Sequence, residues 1–217
     1  MTDLRTLSAP GPHGGRPVLA GGVALADARR VLLAVHGRGA EAESMLELAH
    51  AVASAGWAHL APQAAGHTWY PYSFLEPMER NEPNLSSALT ALDNLVLGLG
   101  AAGFATEQIA LMGFSQGACL TLEYVARHPR RYAAVFGLSG GLIGPPGTPR
   151  DYAGSLAGTP VFLGCSDVDA HIPVGRVHET AETLRRMGAE VDERIYPGMG
   201  HTVNSDEMAA MRERLSK

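Results

Sequence analysis

The stretch Ile109-Ala110-Leu111-Met112-Gly113-Phe114-Ser115-Gln116-Gly117 predicts a strand, then a sharp turn, then the start of a helix. The run Ile109 to Met112 is apolar on both faces, which is typical of a strand buried inside a sheet. The end of the stretch matches G-x-S-x-G, and a helix is predicted to begin at Gln116. A serine on such a turn adopts a strained backbone conformation that exposes its hydroxyl above the sheet. We therefore expect Ser115 to be a nucleophile, with a plain glycine-rich turn as the alternative.

Strands and helices alternate on both sides of this stretch. The predicted strands are 31–35, 57–61, 108–112, 132–138, 160–164 and 191–196, and the predicted helices are 42–55, 85–99, 116–127, 174–187 and 206–215. This order predicts an α/β fold, a mostly parallel sheet with helices on both faces, in a single domain that spans residues 1–217. Residues 1–30 are rich in glycine and proline, and we expect a peripheral β-hairpin or a loose lead-in there.

Two further predicted strands end in loops that carry an acid and a base. Asp167 and Asp169 follow the strand at 160–164, and His201 follows the strand at 191–196. Because the carboxyl ends of parallel strands meet at one sheet edge, these loops are expected to converge on Ser115. A serine hydroxyl needs an imidazole to take its proton, and a carboxylate to orient that imidazole. The chain order Ser, Asp, His is that of the α/β-hydrolases, and the residues alone leave either aspartate as the acid.

A second glycine-containing turn, His36-Gly37-Arg38-Gly39, closes the strand at 31–35. Such a turn can point a backbone N–H into the crevice beyond the strand ends, where it stabilises an oxyanion. We expect the backbone amides of Arg38 and Gln116 to be the two donors. His36 is interpreted as a turn histidine bonded to backbone, not as a base. The Arg38 side chain is expected either to be solvated or to meet an anionic part of the substrate.

Four aromatic residues cluster in the connection that follows the strand at 57–61, and they are Trp69, Tyr70, Tyr72 and Phe74. Loops at this sheet edge carry specificity in open sheets. We expect Trp69, Tyr70 and Phe74 to form the wall of a substrate pocket. The alternative is an aromatic loop packed down as core.

Composition excludes several classes of function. The chain of 217 residues carries 17 Lys+Arg against 22 Asp+Glu, a net charge of −5, which argues against a nucleic-acid partner. It has no apolar run long enough to span a membrane and no apolar leader, so we expect a cytoplasmic location. Asp167, Asp169, His171 and His178 could mimic a metal cluster, but no recognised ligand spacing supports a metal.

The motifs together resemble the phospholipase/carboxylesterase family, small α/β-hydrolases that include the acyl-protein thioesterases. The resemblance rests on residues 113–118, on the turn at 36–39 and on Gly198-Met199-Gly200-His201, and it covers roughly residues 30–215. It implies a triad of Ser115, Asp169 and His201, because Asp169-Ala170-His171-Ile172-Pro173 fits the D-x-x-I-P end of the family's acid loop. The glycine expected upstream is displaced, and Arg38 stands where the thioesterases commonly have leucine.

The resemblance implies a serine carboxylesterase that needs no cofactor and cleaves small-molecule esters of short or medium acyl chains. The alternatives are a thioesterase or lysophospholipase acting on longer acyl chains, and a non-catalytic protein that binds a ligand on the hydrolase fold. A lactone hydrolase related to the dienelactone hydrolases is disfavoured because those enzymes typically use cysteine. The oligomeric state stays open, with a homodimer as one option.

Overall fold

A computed structural model describes residues 4–216, which form a seven-stranded sheet in the order β1-β3-β2-β4-β5-β6-β7. The strands are β1 Val18–Gly22, β2 Arg30–Val35, β3 Trp57–Pro62, β4 Ile109–Phe114, β5 Ala134–Leu138, β6 Pro160–Ser166 and β7 Glu190–Tyr196. The helices are α1 Ala42–Val52, α2 Asn84–Ala101, α3 Gln116–Arg127, α4 Val174–Arg186 and α5 Ser205–Leu215. All pairings from β2 to β7 are parallel, while β1 pairs with β3 in the antiparallel sense.

Each face of the sheet has its own apolar core, as the two-residue period of a strand requires. Leu32, Ala34 and Met112 point to the face that α1 and α5 cover. Val31, Leu33 and Leu111 point to the opposite face, where α2, α3 and α4 pack. The predicted mostly parallel sheet with helices on both faces is therefore confirmed.

The segment before β2 differs from the prediction. Val18–Gly22 forms an edge strand of the main sheet, paired with β3 from Val18–Pro62 to Gly22–Ala58. The chain then enters a short 3-10 turn at Leu25–Asp27, whereas a peripheral β-hairpin or a loose lead-in was expected for residues 1–30. The free edge of β3 offers a full row of hydrogen-bonding groups, which local sequence patterns do not reveal. Residues 1–3 lie outside the described part of the chain.

The parallel arrangement brings distant segments to one sheet edge. The turn after β2, the turn between β4 and α3, and the loops after β6 and β7 all follow the carboxyl ends of their strands. This is where open α/β sheets place their ligand crevices.

Candidate active site

The turn between β4 and α3 holds Ser115 in an unusual backbone conformation. Ser115 has φ 55° and ψ −120°, a combination that is strained for a residue with a side chain. Glycines on both sides make the close approach possible: a Cβ added at Gly113 would lie 2.3 Å from the Gly117 carbonyl oxygen. A Cβ added at Gly117 would lie 2.1 Å from the Val35 carbonyl oxygen on β2. The sequence G-x-S-x-G is therefore what allows strand, turn and helix to pack here.

The three residues expected to form the triad lie in one hydrogen-bonded chain. His201 Nε2 is 2.8 Å from Ser115 Oγ, although the two residues are 86 positions apart. His201 Nδ1 is 2.7 Å from Asp169 Oδ2. The imidazole can thus accept the serine proton on one nitrogen while the carboxylate fixes its tautomer through the other.

The two candidate acids have different surroundings. The Asp169 carboxylate is fully buried, and its Oδ1 accepts hydrogen bonds from the backbone N–H groups of His171 and Ile172. Asp167 is exposed, and its Oδ1 accepts a hydrogen bond from the Gly198 N–H at 2.8 Å. Asp167 therefore ties the acid loop to the histidine loop, while Asp169 is the carboxylate that contacts the imidazole.

The pKa of Asp169 reflects opposing effects. Burial alone would raise the pKa of this carboxyl. The hydrogen bond from His201 and the two backbone N–H donors outweigh burial and lower the pKa below its ordinary value. Asp169 is therefore a carboxylate at neutral pH, which is the form that stabilises an imidazolium.

Two backbone amides near Ser115 are free to bind an oxyanion. In the described residues 4–216, neither the Arg38 N–H nor the Gln116 N–H donates to a protein acceptor. Gln116 is the first residue of α3, so its amide is one of the unpaired donors at a helix N-terminus. Gly37 packs against the Ser115 side chain, where an added Cβ would be 3.3 Å from Ser115 Cβ.

The side chains of these same two residues hold the aromatic connection in place. Gln116 Nε2 donates to the Tyr70 carbonyl at 2.8 Å, and Gln116 Oε1 accepts from the Trp69 N–H at 2.8 Å. The Arg38 guanidinium donates to the carbonyl oxygens of Tyr70, Pro71 and Tyr72 at 2.7–3.0 Å. The aromatic connection is thus fixed to the nucleophile turn by Gln116 and to the turn after β2 by Arg38, contacts that the sequence did not predict.

A cavity of about 490 Å³ opens beside Ser115 and His201. Its wall includes the side chains expected from the aromatic connection at Tyr70 and Phe74, and both are buried. Sequence reasoning missed other wall residues, among them Phe114, Cys119, His171 and Ile172. Phe114 lies inside the motif and Cys119 follows it by two residues, so both could have been found from their position on the same turn and helix. The presence of His171 and Ile172 in the wall depends on the conformation of the acid loop, which the sequence pattern does not give.

The expectation that Trp69 lines this cavity is wrong. Trp69 is fully buried and does not belong to the cavity wall. Its indole N–H donates to the His36 carbonyl at 2.9 Å, and its ring packs against His13 and His36. A buried indole must satisfy its N–H, and the acceptor lies on the β2 turn, which draws the ring into the core. For Trp69 the core alternative applies.

The remaining histidine candidates have structural surroundings. His36 is buried, with Nδ1 2.7 Å from the Gly37 carbonyl, and its Nε2 accepts from the Ala64 N–H. Burial lowers the pKa of His36, so it stays neutral. His178 pairs with Glu193, away from Asp169. Among residues 4–216, no three His, Cys, Asp or Glu side chains lie close enough together to hold a metal ion.

The helices of the described residues are all too short or too polar to span a bilayer.

Comparison with known proteins places this geometry in a family. The chain is 29% identical over 119 residues to acyl-protein thioesterase 1 of Saccharomyces cerevisiae, covering 53% of this chain and 52% of that protein. It is 32% identical over 138 residues to the putative esterase NocK of Nocardia uniformis, covering 60% of this chain and 38% of that protein. The chain thus spans about half the length of such curated relatives or less.

A solved structure matches over nearly the whole length. It is a phospholipase/carboxylesterase from Dyadobacter fermentans, with a TM-score of 0.90 and 38% identity over 98% of both chains. The family model described as phospholipase/carboxylesterase matches residues 24–217. By fold, motif and family match, this chain is a member of the phospholipase/carboxylesterase family of α/β-hydrolases.

Proposed function

We propose that the chain is a serine hydrolase that cleaves carboxylic esters of small or medium acyl chains through an acyl-enzyme intermediate. The observation that carries this proposal is the Ser115–His201–Asp169 chain, with contacts of 2.8 and 2.7 Å, at the wall of the 490 Å³ cavity. The backbone amides of Arg38 and Gln116, which have no acceptor among residues 4–216, lie beside it.

The first half-reaction follows from the contacts. Ser115 Oγ attacks the ester carbonyl carbon while His201 Nε2 takes the hydroxyl proton. The carbonyl oxygen becomes an oxyanion, which accepts hydrogen bonds from the Arg38 and Gln116 amides. His201, now an imidazolium stabilised by Asp169, protonates the leaving alkoxide, and the C–O bond to the alcohol breaks. The alcohol leaves and the acyl group remains on Ser115.

The second half-reaction repeats these roles with water as the nucleophile. His201 takes a proton from water, the hydroxide attacks the acyl carbon, and the same amides bind the second oxyanion. Collapse of that intermediate returns the proton to Ser115 Oγ and releases the carboxylic acid. Apart from the ester and one water molecule, the two half-reactions use only groups of the chain named above.

The chain length of the acyl group is the most informative test. We expect 4-nitrophenyl esters from acetate to dodecanoate to be hydrolysed with a maximum of kcat/KM at a short or medium chain. The Ser115→Ala variant is the matched control and should lose at least about 10³-fold in kcat. A maximum at the longest chains, or faster cleavage of matched thioesters, would favour the thioesterase or lysophospholipase alternative. A folded wild-type protein without ester turnover would favour ligand binding without catalysis.

A further inference from the structure

Arg38 lines the cavity, and its guanidinium is bonded to neutral groups of the wall. It is exposed, and three of its N–H groups donate to the carbonyl oxygens of Tyr70, Pro71 and Tyr72. Neutral carbonyls satisfy donors without cancelling a full positive charge. A guanidinium has five N–H groups, so about two remain for another acceptor.

No carboxylate of the described residues lies within 4.0 Å of Arg38. Arg80, which stands near the same wall, provides the contrast. Its guanidinium lies 4.5 Å from the centre of the Tyr72 ring, but Arg80 Nη1 also pairs with Glu76 at 2.8 Å. Of these two arginines beside the aromatic connection, Arg80 is neutralised by the protein and Arg38 is not.

The cavity wall adds no negative charge of its own. The lining residues in the described part of the chain include no aspartate or glutamate, whereas the whole chain carries a net charge of −5. The carboxylate closest to the reacting groups, Asp169, is buried and paired with His201. Burial raises the pKa of Cys119 to about 12, so this wall residue stays a neutral thiol. A cationic cavity in an acidic protein is complementary to an anion.

We propose that Arg38 forms an anion-binding subsite and that the enzyme prefers esters carrying a carboxylate on either the acyl or the alcohol half. This inference rests on the proposed ester hydrolysis and narrows its substrate class. Arg38 has two roles under this proposal, since its backbone N–H faces the oxyanion while its side chain binds the carboxylate. The ester then bridges from the oxyanion site to the guanidinium, which orients its carbonyl toward Ser115.

Two substrate pairs of nearly equal size measure this preference. For the acyl half, the pair is the mono-4-nitrophenyl ester of adipate and the corresponding adipamate ester, which differ only in carboxylate against amide. For the alcohol half, the pair is 4-acetoxybenzoate and 4-acetoxybenzamide. We expect wild-type kcat/KM to favour the anionic member of at least one pair by about tenfold at low salt. Added sodium chloride should shrink that ratio, because exposed charges are screened.

Variants assign the preference to the side chain. Arg38→Met should reduce the anionic-to-neutral ratio to about that of the uncatalysed reaction, while Arg38→Lys should retain part of it. Arg38 also anchors the aromatic connection, and loss of that anchoring should change kcat/KM for both members of a pair. The anionic-to-neutral ratio of kcat/KM cancels this shared effect, so it is the quantity to measure. Arg80→Met is the matched control, and its ratio should stay that of the wild type.

The outcomes separate the two proposals. Failure of the folded wild-type protein to cleave any of the four esters would overturn the proposed function itself. Cleavage of the neutral esters with no salt-sensitive preference in either pair would overturn only the anion subsite. A preference that persists in Arg38→Met would likewise overturn it, because another group would then bind the carboxylate.

Discussion

The side-chain amide of Gln116 donates to the Tyr70 carbonyl at 2.8 Å, so the residue after the nucleophile also fixes the wall of the cavity. The same carbonyl accepts a second hydrogen bond from Arg38 at 3.0 Å. The two residues proposed to supply the oxyanion amides thus hold the substrate wall with their side chains. The proposed oxyanion amides and the proposed pocket wall are therefore joined by hydrogen bonds from the same two residues.

Substitutions in the aromatic connection should distinguish a residue that lines the pocket from one that only packs in the core. Phe74→Leu replaces a wall side chain by a smaller one, which enlarges the cavity at modest cost in packing. Because a larger cavity accepts a longer acyl chain, we expect the ratio of kcat/KM for octanoate over butyrate esters to rise at least about threefold. Trp69→Phe removes the hydrogen bond to the His36 carbonyl and should lower the free energy of unfolding by about 1–3 kcal/mol, with little change in that ratio. Urea unfolding and ester kinetics measure both effects. The reverse pattern would put Trp69 on the wall instead of Phe74.

Replacement of each aspartate of the acid loop should assign the triad acid. Asp169→Asn removes the carboxylate that contacts His201 Nδ1, and kcat should fall by about 10³- to 10⁴-fold. Asp167→Asn keeps an oxygen that can accept from the Gly198 N–H, so kcat should stay within about threefold of the wild type. Steady-state kinetics of the two variants at neutral pH provide the comparison. A larger loss in Asp167→Asn than in Asp169→Asn would reverse the assignment.

The close packing of the nucleophile turn predicts a large effect from a single methyl group. Gly117→Ala places a Cβ about 2.1 Å from the Val35 carbonyl oxygen, so we expect a loss of about 3 kcal/mol or more in the free energy of unfolding. Gly175 of α4 is the matched control, because a Cβ added there meets no atom within 4 Å. Gly175→Ala should be neutral or stabilise by up to about 1 kcal/mol. Equal effects in chemical denaturation would contradict the packing argument.

The buried carboxyl of Glu207 predicts how stability depends on pH. Its Oε2 accepts a hydrogen bond from the Asn204 N–H at 2.8 Å, but its Oε1 has no hydrogen-bond partner within residues 4–216. Burial raises the pKa of Glu207 from 4.5 to about 7, so folding favours the neutral acid. The stabilisation is complete below pH 4.5 and is lost as the pH rises through about 7, with a total of about 3 kcal/mol.

Glu207→Gln tests this dependence directly. Glutamine keeps an oxygen for the Asn204 N–H and has no charge to bury, so its stability should not show the loss between pH 4.5 and 8 that we expect of the wild type. Denaturant unfolding at several pH values measures the two slopes. Parallel slopes for wild type and variant would show that Glu207 does not titrate in this range.

Much of the fold followed from local sequence because its cause is local. Buried parallel strands are continuous apolar runs, and helices repeat their apolar residues with helical spacing, so β2 to β7 and all five helices could be placed within a few residues. The strained turn at Ser115 was also predictable, because the glycines of G-x-S-x-G are needed where strand and helix approach closely around the serine. The convergence of the acid loop and His201 on Ser115 followed from the parallel order of the strands, while the choice of Asp169 over Asp167 came from the resemblance to the family's acid loop.

Features that depend on distant partners were not predictable. Strand β1 exists because the edge of β3 is free to pair, and the short run at Val18 carries no sign of that partner. Trp69 and Phe74 are both buried aromatic residues and only five positions apart, yet Phe74 also lines the cavity and Trp69 does not. What separates them is a hydrogen bond to the His36 carbonyl, which is invisible in the sequence. The cytoplasmic location and the homodimer stay predictions.

Covalent labelling of Ser115 by a fluorophosphonate tests the account most directly, because it reports the activated hydroxyl without assuming a substrate. Ser73, an exposed serine of the same cavity wall, supplies the matched control. We predict one adduct per chain in the intact mass of the wild type and of Ser73→Ala, mapped to the peptide that contains Ser115. Ser115→Ala should take up no label, and His201→Ala should label far more slowly. An unlabelled wild-type protein, or equal labelling of Ser115→Ala, would contradict the proposal that these residues form a working nucleophile.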